Sequence, residues 1–491
     1  MLTPDDRQIA ARLRQTLVAA GFTADGVLNL IGAQAYSALS RDEFVPARRA
    51  LRGTVSVLAD LVRLFVIDEM IDVDQLAPGF PLDDVRRLGL IEGAEQIHAV
   101  VDVRPYGEPD TDWYVVSDHS AGRGAMAKSE VDPDHVLGVG GASLTLARIT
   151  PRSRVTRALD IGTGCGVQAL HLSRHCDEVV ATDNNLRALR CAALSAALSD
   201  CEWDVRAGSF LEPVAGESFD LIVSNPPFVI SPGRRYTYRD AGFPADDLGR
   251  QLVADIPGYL SRDGVAVLLA NWLHVQDEDW RERVTEWVTG IGCSAWIAQR
   301  DVQDPTQYVG LWLRDAGDAG SDQDERYNQW CDALASWRTE AIGFGWIVLA
   351  TSDRPWIHVE DVSRASRQPT GAEVLATMQA LTVCETTDAL ALLSSRPQIA
   401  QGVVVRSEDH YVKSGNWASG PTLLSTPEGW REDQFLDVVT REFIRRCDGE
   451  STVEGLVDDI AVDLAMDPDD VLAVGLFRLR ELIAQGFVVL P

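Results

Sequence analysis

Between residues 135 and 360 the hydrophobic positions switch repeatedly between two periods. VTRALDI, DEVVATD, WDVRAGSF, FDLIVSNPPF, GVAVLLANWL, CSAWIAQRDV and GFGWIVLATS are short, mostly apolar runs that read as buried strands. VQALHLSRHC, NLRALRCAALSAALSD, DLGRQLVADIPGYL, DEDWRERVTEWVTG and DERYNQWCDALASWRTEAI place apolar groups three and four residues apart, the spacing of helices packed on one face. Apolar strands between amphipathic helices predict an α/β fold whose sheet is covered on both faces.

The flanks differ from this centre. Residues 1–95 read as a helical N-terminal domain: IAARLRQTLVAAGF and LRGTVSVLADLVRLFVIDEM repeat the helical spacing, and Leu13, Leu17, Leu58 and Leu61 are core positions. Residues 96–134 form a small β-rich linker or subdomain, with QIHAVVDVRPYG and DTDWYVVSDH separated by the turn signal GEPD. Residues 370–491 are a C-terminal α/β region. It ends in three helical segments and a β run, an order that resembles a winged helix.

Composition narrows the classes. A chain of 491 residues implies two to four domains, and 46% hydrophobic residues exclude a disordered chain. No apolar run reaches the ~18–20 residues that cross a bilayer. MLTPDDRQIA does not read as a secretory signal, and the eight cysteines have no CxxC spacing, which suits a reducing cytoplasm. His98, His119 and His135 sit in separate elements without metal-ligand spacing, so no metal site is expected. The net charge of -30 argues against broad nonspecific nucleic-acid binding, which needs basic surface. The acidic C-terminal region favours a substrate clamp or protein interface over a DNA-reading wing.

The chemistry concentrates in two segments about sixty residues apart. In the first, Asp160-Ile161-Gly162-Thr163-Gly164-Cys165-Gly166 ends a strand and precedes a helix. Glycines there permit a tight turn and let a ligand approach the backbone. The following helix turns its amides toward the crevice. Asp160 can hold an ammonium group, and Asp183, ending the next strand, can accept from both hydroxyls of a ribose. Tight turn packing also produces such a motif, and a nicotinamide cofactor is a further reading. The spacing is GxGxG, however, and the GxGxxG dinucleotide fingerprint is not met unchanged.

The second segment is Asn225-Pro226-Pro227-Phe228, after the apolar strand Phe219–Ser224. Taken together, DIGTGCG, ATD and SNPPF resemble the class I S-adenosylmethionine-dependent methyltransferases, in particular the small-domain branch that contains glutamine and nucleobase N-methyltransferases. The match covers roughly residues 135–360, the expected methyltransferase domain. It implies a Rossmann-like seven-stranded sheet, mostly parallel with one antiparallel strand, ending at Gly343–Thr351. It assigns Asp160, Gly162, Thr163, Gly164 and Gly166 to the methionine end of S-adenosyl-L-methionine. Asp183 goes to the ribose and Asn184 beside the adenosine. Ser209 stands where many relatives carry an acidic residue that meets the adenine amino group, and Phe210 can pack against the base.

The resemblance assigns Asn225, Pro226, Pro227 and Phe228 to the target amine or amide, with Asn225 also facing the cofactor. Asn225 can accept one hydrogen of a substrate NH2 group and the Pro226 carbonyl another, aiming the nitrogen lone pair at the methyl group. Phe228 offers a flat surface. The gain would come from alignment and desolvation rather than from a strong base. The expected activity is N-methylation of an amino or amide nitrogen on a macromolecule, either protein glutamine or an RNA or DNA base. Arg234, Arg235, Tyr236, Tyr238 and Arg239 form a basic aromatic patch suited to substrate contact. The alternatives are a noncatalytic S-adenosylmethionine-binding scaffold, which predicts a blocked target pocket, and a winged-helix nucleic-acid-binding or interaction protein.

Overall fold

A computed structural model describes residues 2–41, 43–107, 111–119, 132–233, 243–315, 323–411 and 417–490. The chain forms two compact units. The first comprises residues 1–147, 153–287 and 302–344, and the second 148–152, 288–301 and 345–491.

The first unit opens with helices, beginning with α1 (Pro4–Ala19). Thr3 caps α1 in a reciprocal box with Asp6, and Pro4 occupies the first turn, where a missing amide costs nothing. Leu13, Leu17 and Leu61 are fully buried, and Leu58 packs at the edge of the same core. The β-rich segment is an antiparallel hairpin, Asp102–Tyr106 with Trp113–Ser117.

Eight strands form the main sheet: β1 (Val155–Ile161), β2 (Cys176–Asp183), β3 (Asp204–Ala207), β4 (Phe219–Ser224), β5 (Leu260–Val275), β6 (Cys293–Gln303), β7 (Thr339–Thr351) and β8 (Ile357–Asp361). Their order is β8-β6-β7-β5-β4-β1-β2-β3. Pairings β3/β2, β2/β1, β1/β4, β4/β5 and β6/β8 are parallel. All seven expected strands are present. The eighth, β8, was invisible to hydrophobic periodicity because Ile-His-Val-Glu-Asp is short, mixed in polarity and only half-buried.

Helix α2 (Val167–Leu172) follows β1, and α3 (Leu186–Leu198) follows β2. One face of α3, with Ala188, Cys191, Leu194 and Leu198, belongs to the same apolar core as the N-terminal helices and the hairpin. Ser195 on α3 and Ser199 just past its end accept from the hairpin amides of Val116 and Tyr114, each at 2.9 Å. The N-terminal segments thus pack on the helix that leads away from Asp183, through hydrogen bonds that a periodic reading does not reveal. Farther on, α4 (Pro305–Asp315) and α5 (Gln323–Ser336) contribute Tyr308, Leu313, Trp330 and Leu334 to a separate core with Val229 and Ile230.

In the second unit, α6 (Gly371–Thr386) is capped by Thr370 and Glu373. The three predicted terminal helices are α7 (Val438–Arg446), α8 (Val453–Leu464) and α9 (Pro468–Ala484). The β run after α9, Val488–Val489, pairs antiparallel with Gln398–Ile399. The long hairpin of this region, Val404–Tyr411 with Trp417–Ser425, precedes the three helices in sequence, whereas a winged helix carries its wing after them.

Candidate active site

Parallel pairing gathers the functional segments at one end of the sheet. Asp160 and Ile161 of β1 pair with Ala181 and Thr182 of β2 and with Val223 and Ser224 of β4, and Asp183 pairs with Ala207 of β3. The carboxyl ends of β3, β2, β1 and β4 therefore emerge side by side. The connections diverge between β1 and β4, the place where open α/β sheets bind ligands.

The glycine turn is built by backbone bonds to β2. The amides of Gly162 and Thr163 both donate to the Thr182 carbonyl at 2.9 Å. Gly162, Gly164 and Gly166 have φ of +71°, +56° and +89°, the region that favours glycine. Their roles differ. A Cβ at Gly162 or Gly164 would meet nothing within 4 Å, so these two border open space. A Cβ at Gly166 would come within 2.6 Å of the Trp203 ring, so this glycine lets the start of α2 close against that indole. Cys165 is buried, which pushes its thiol up to about 12 and makes it inert packing.

Asp160 is 1% exposed. Its Oδ2 accepts from the Thr163 hydroxyl at 2.7 Å, while no donor among the described residues reaches its buried Oδ1. Burial raises the Asp160 carboxyl to about 7, against the opposing Thr163 bond. Asp183 is held on both oxygens: Oδ2 accepts from the Gly164 amide at 3.0 Å and Oδ1 from the Asn185 amide at 2.8 Å. Burial nevertheless raises its pKa, and each oxygen keeps a lone pair for a further donor. Asn184 beside it is exposed. Asn185, which sequence reasoning passed over, caps α3 by accepting from Arg187 at 2.9 Å and donates to the Asp134 carbonyl at 2.7 Å.

At the end of β3, the Gly208 amide donates to the Asp183 carbonyl at 3.1 Å, and the Thr182 hydroxyl donates to the Phe210 carbonyl at 3.2 Å. The Ser209 amide lies 3.4 Å from Glu212 Oε2. Phe210 has φ +47°, a left-handed conformation costing a bulky residue about 1–2 kcal/mol. Phe210 is half-buried and follows the end of β3, whose Ala207 pairs with Asp183.

On the other side, Asn225 Oδ1 is buried and accepts nothing among the described residues. The Pro226 carbonyl accepts from the Phe228 amide at 2.7 Å, a tight turn that leaves one of its lone pairs for another donor. Phe228 meets the Trp312 ring edge-on at 6.5 Å, and the Ile230 amide donates to the Tyr308 hydroxyl at 2.8 Å, anchoring the exit loop on α4. A small cleft, partly open to solvent, is lined by Pro226, Pro227 and Phe228. Asn271 of β5 lines the same cleft; its signal in the sequence is a single polar side chain in the otherwise apolar run Val265–Leu273. Arg234, Arg235, Tyr236, Tyr238 and Arg239 lie outside the described residues.

Asp220, at the start of β4, accepts from the amides of Thr156 and Arg157 and from Ser261, clamping the opposite end of three strands. Among the described residues no group of three or more His, Cys, Asp or Glu is placed to hold a metal, and no helix is long and apolar enough to cross a membrane.

Residues 137–272 match the family described as methyltransferase small domain, and residues 19–103 match a domain of unknown function. The release factor glutamine methyltransferase of Xylella fastidiosa (strain 9a5c) is 35% identical over 160 residues, 26% of this chain and 58% of that protein. Ribosomal RNA small subunit methyltransferase C of Escherichia coli O6:H1 is 28% identical over 233 residues, 45% of this chain and 63% of that protein. A T. thermophilus 16S rRNA methyltransferase solved with AdoMet and guanosine is 20% identical, covering 52% of this chain and 64% of that one, with a TM-score of 0.26. The chain thus spans less than two thirds of the length of these curated relatives. Over residues 137–272 the chain is similar to the methyltransferase small domain, and the resemblance carried by its motifs makes S-adenosylmethionine the implied cofactor. The site fits that group: an unpartnered buried carboxylate oxygen on Asp160 can meet an ammonium, and the open space at Gly162 and Gly164 admits a ligand to the backbone.

Proposed function

We propose that this protein is an S-adenosylmethionine-dependent N-methyltransferase that modifies a planar amino or amide nitrogen of a macromolecule, a protein glutamine or a nucleic-acid base. The observation that carries this reading is the unpartnered Asn225 Oδ1, buried one residue beyond Ser224, whose strand pairs with the one that ends in the glycine turn. Its relatives' names, given above, point to the same chemistry.

When bound, S-adenosylmethionine supplies an electrophilic methyl group. Asp160 would meet its ammonium through Oδ1, and Asp183 its ribose hydroxyls. Asn225 Oδ1 accepts one hydrogen of the target NH2 and the free lone pair of the Pro226 carbonyl the other. Two acceptors in fixed positions orient the nitrogen lone pair and remove it from competing water. Phe228, braced by Trp312, supports the flat face of the target. The alkylated nitrogen is acidic and loses its proton to water, so no strong base is required.

The test is incubation of the protein with isotopically labelled methyl donor and separated cellular RNA and protein, followed by mass mapping of the modified atom. Label on a ring amino group or a glutamine amide is the expected result. Label in neither fraction, or only on aliphatic amines, sinks the proposal.

A further inference from the structure

The strand β5 is apolar from Val265 to Leu273 except at Asn271. In the parallel register with β4, Leu268 lies opposite Ser224. Asn271 therefore stands three residues past that pair, at the same sheet end as Asn225 and on the neighbouring strand. It is 4% exposed and lines the cleft that Pro226, Pro227 and Phe228 border. Its Nδ2 is buried and donates to nothing among the described residues. The carboxylate in that cleft is not its partner. Asp246 already accepts from the Leu273 amide at 2.9 Å and from Arg283 at 3.0 and 2.6 Å. A buried amide with no acceptor destabilises a fold, and an apolar side chain of similar volume would suit this strand better.

Resting on the methyltransferase reading above, we infer that Asn271 is a substrate-positioning residue whose Nδ2 donates a hydrogen bond to the acceptor atom beside the target NH2. Each planar target has such an atom: the carbonyl oxygen of a primary amide, or the ring nitrogen next to the amino group of a base. Asn225 and Asn271 then present an acceptor and a donor to one substrate edge. That pattern selects conjugated NH2 groups carrying an adjacent lone pair and rejects lysine and arginine side chains, which have donors only.

The test uses the full chain and N271L and N271D variants. Methyl transfer is measured on whichever of the RNA and protein fractions the wild type labels, at limiting and saturating amounts. S-adenosylhomocysteine affinity is read by calorimetry and Tm by thermal unfolding. N271L is expected to lose at least about tenfold in rate at limiting substrate, with cofactor affinity unchanged and Tm equal or higher. N271D keeps the shape but replaces the donor with an acceptor, and it should lose at least as much. A purely structural role predicts the reverse for N271L, a fall in Tm with activity following it, and that result overturns the inference. Full activity in either variant overturns it as well, while leaving the methyltransferase reading intact. A wild type that labels neither fraction overturns both.

Discussion

The β1–β2 side and the β4–β5 side of the same sheet end treat their polar groups differently. On the first, Asp183 is bonded on both oxygens to backbone amides and the glycine turn is tied to Thr182, and Asp160 Oδ1 is a buried oxygen with no partner among the described residues. On the second, two buried amides, Asn225 and Asn271, have an atom with no partner among the described residues, and a cleft opens between aromatic and apolar walls. The first side is shaped by the protein's own bonds before any ligand arrives. The second keeps buried polar atoms unsatisfied among the described residues. A site that carries unsatisfied groups trades stability for recognition, because the correct partner relieves them and a wrong one does not.

The contrast can be broken most forcefully in the glycine turn. G166A places a methyl against Trp203, whose indole is held by Ser173 at 2.7 Å, and at a positive φ; it should cost roughly 2–4 kcal/mol in denaturant unfolding. G164A has open space ahead of it and should cost only about 1 kcal/mol, so equal losses would refute the division of roles.

D183A removes the acceptor for both the Gly164 and Asn185 amides, and should weaken S-adenosylmethionine binding by roughly thirtyfold, about 2 kcal/mol. Unchanged calorimetric affinity would count against the ribose assignment. N225A touches the other side alone: a loss of at least about tenfold in methyl transfer, or 1.4 kcal/mol, with cofactor affinity retained. Parallel loss of affinity would merge the two sides into one.

The smallest effect is on pH. Asp160 has its folded pKa raised to about 7 by burial, which favours its protonated form. Its contribution to stability is present below the unfolded pKa and is lost as pH rises toward 7. An ammonium ligand prefers the carboxylate, so affinity should climb by about five- to tenfold between pH 6 and 8 in the wild type. In D160N that slope should vanish; a slope that persists would place the titrating group elsewhere.

Much of this was legible before any coordinates. DIGTGCG, ATD and NPPF each sit where a strand ends, and a parallel sheet brings such ends together, so these strand ends emerge side by side. Gly166 was not legible in the same way. It reads like its two neighbours, yet its partner is Trp203, thirty-seven residues on. Asn271 looked like one more position of a buried strand, because polarity alone does not say whether a side chain finds a partner. The packing of the N-terminal helices and hairpin on α3 depends on Ser195 and Ser199, ordinary residues at a helix end until two strand amides meet them.

The sequence by itself determined the alternation of strands and helices, the conformationally demanding glycines and the donors and acceptors available, since these follow from local sterics and side-chain chemistry. Only the tertiary structure decided which of those groups are satisfied. Asp246 is taken up by the Leu273 amide and the Arg283 guanidinium, whereas Asp160, Asn225 and Asn271 each keep a buried atom with no partner among the described residues. That distinction depends on what lies within 3 Å in space, which local sequence does not encode.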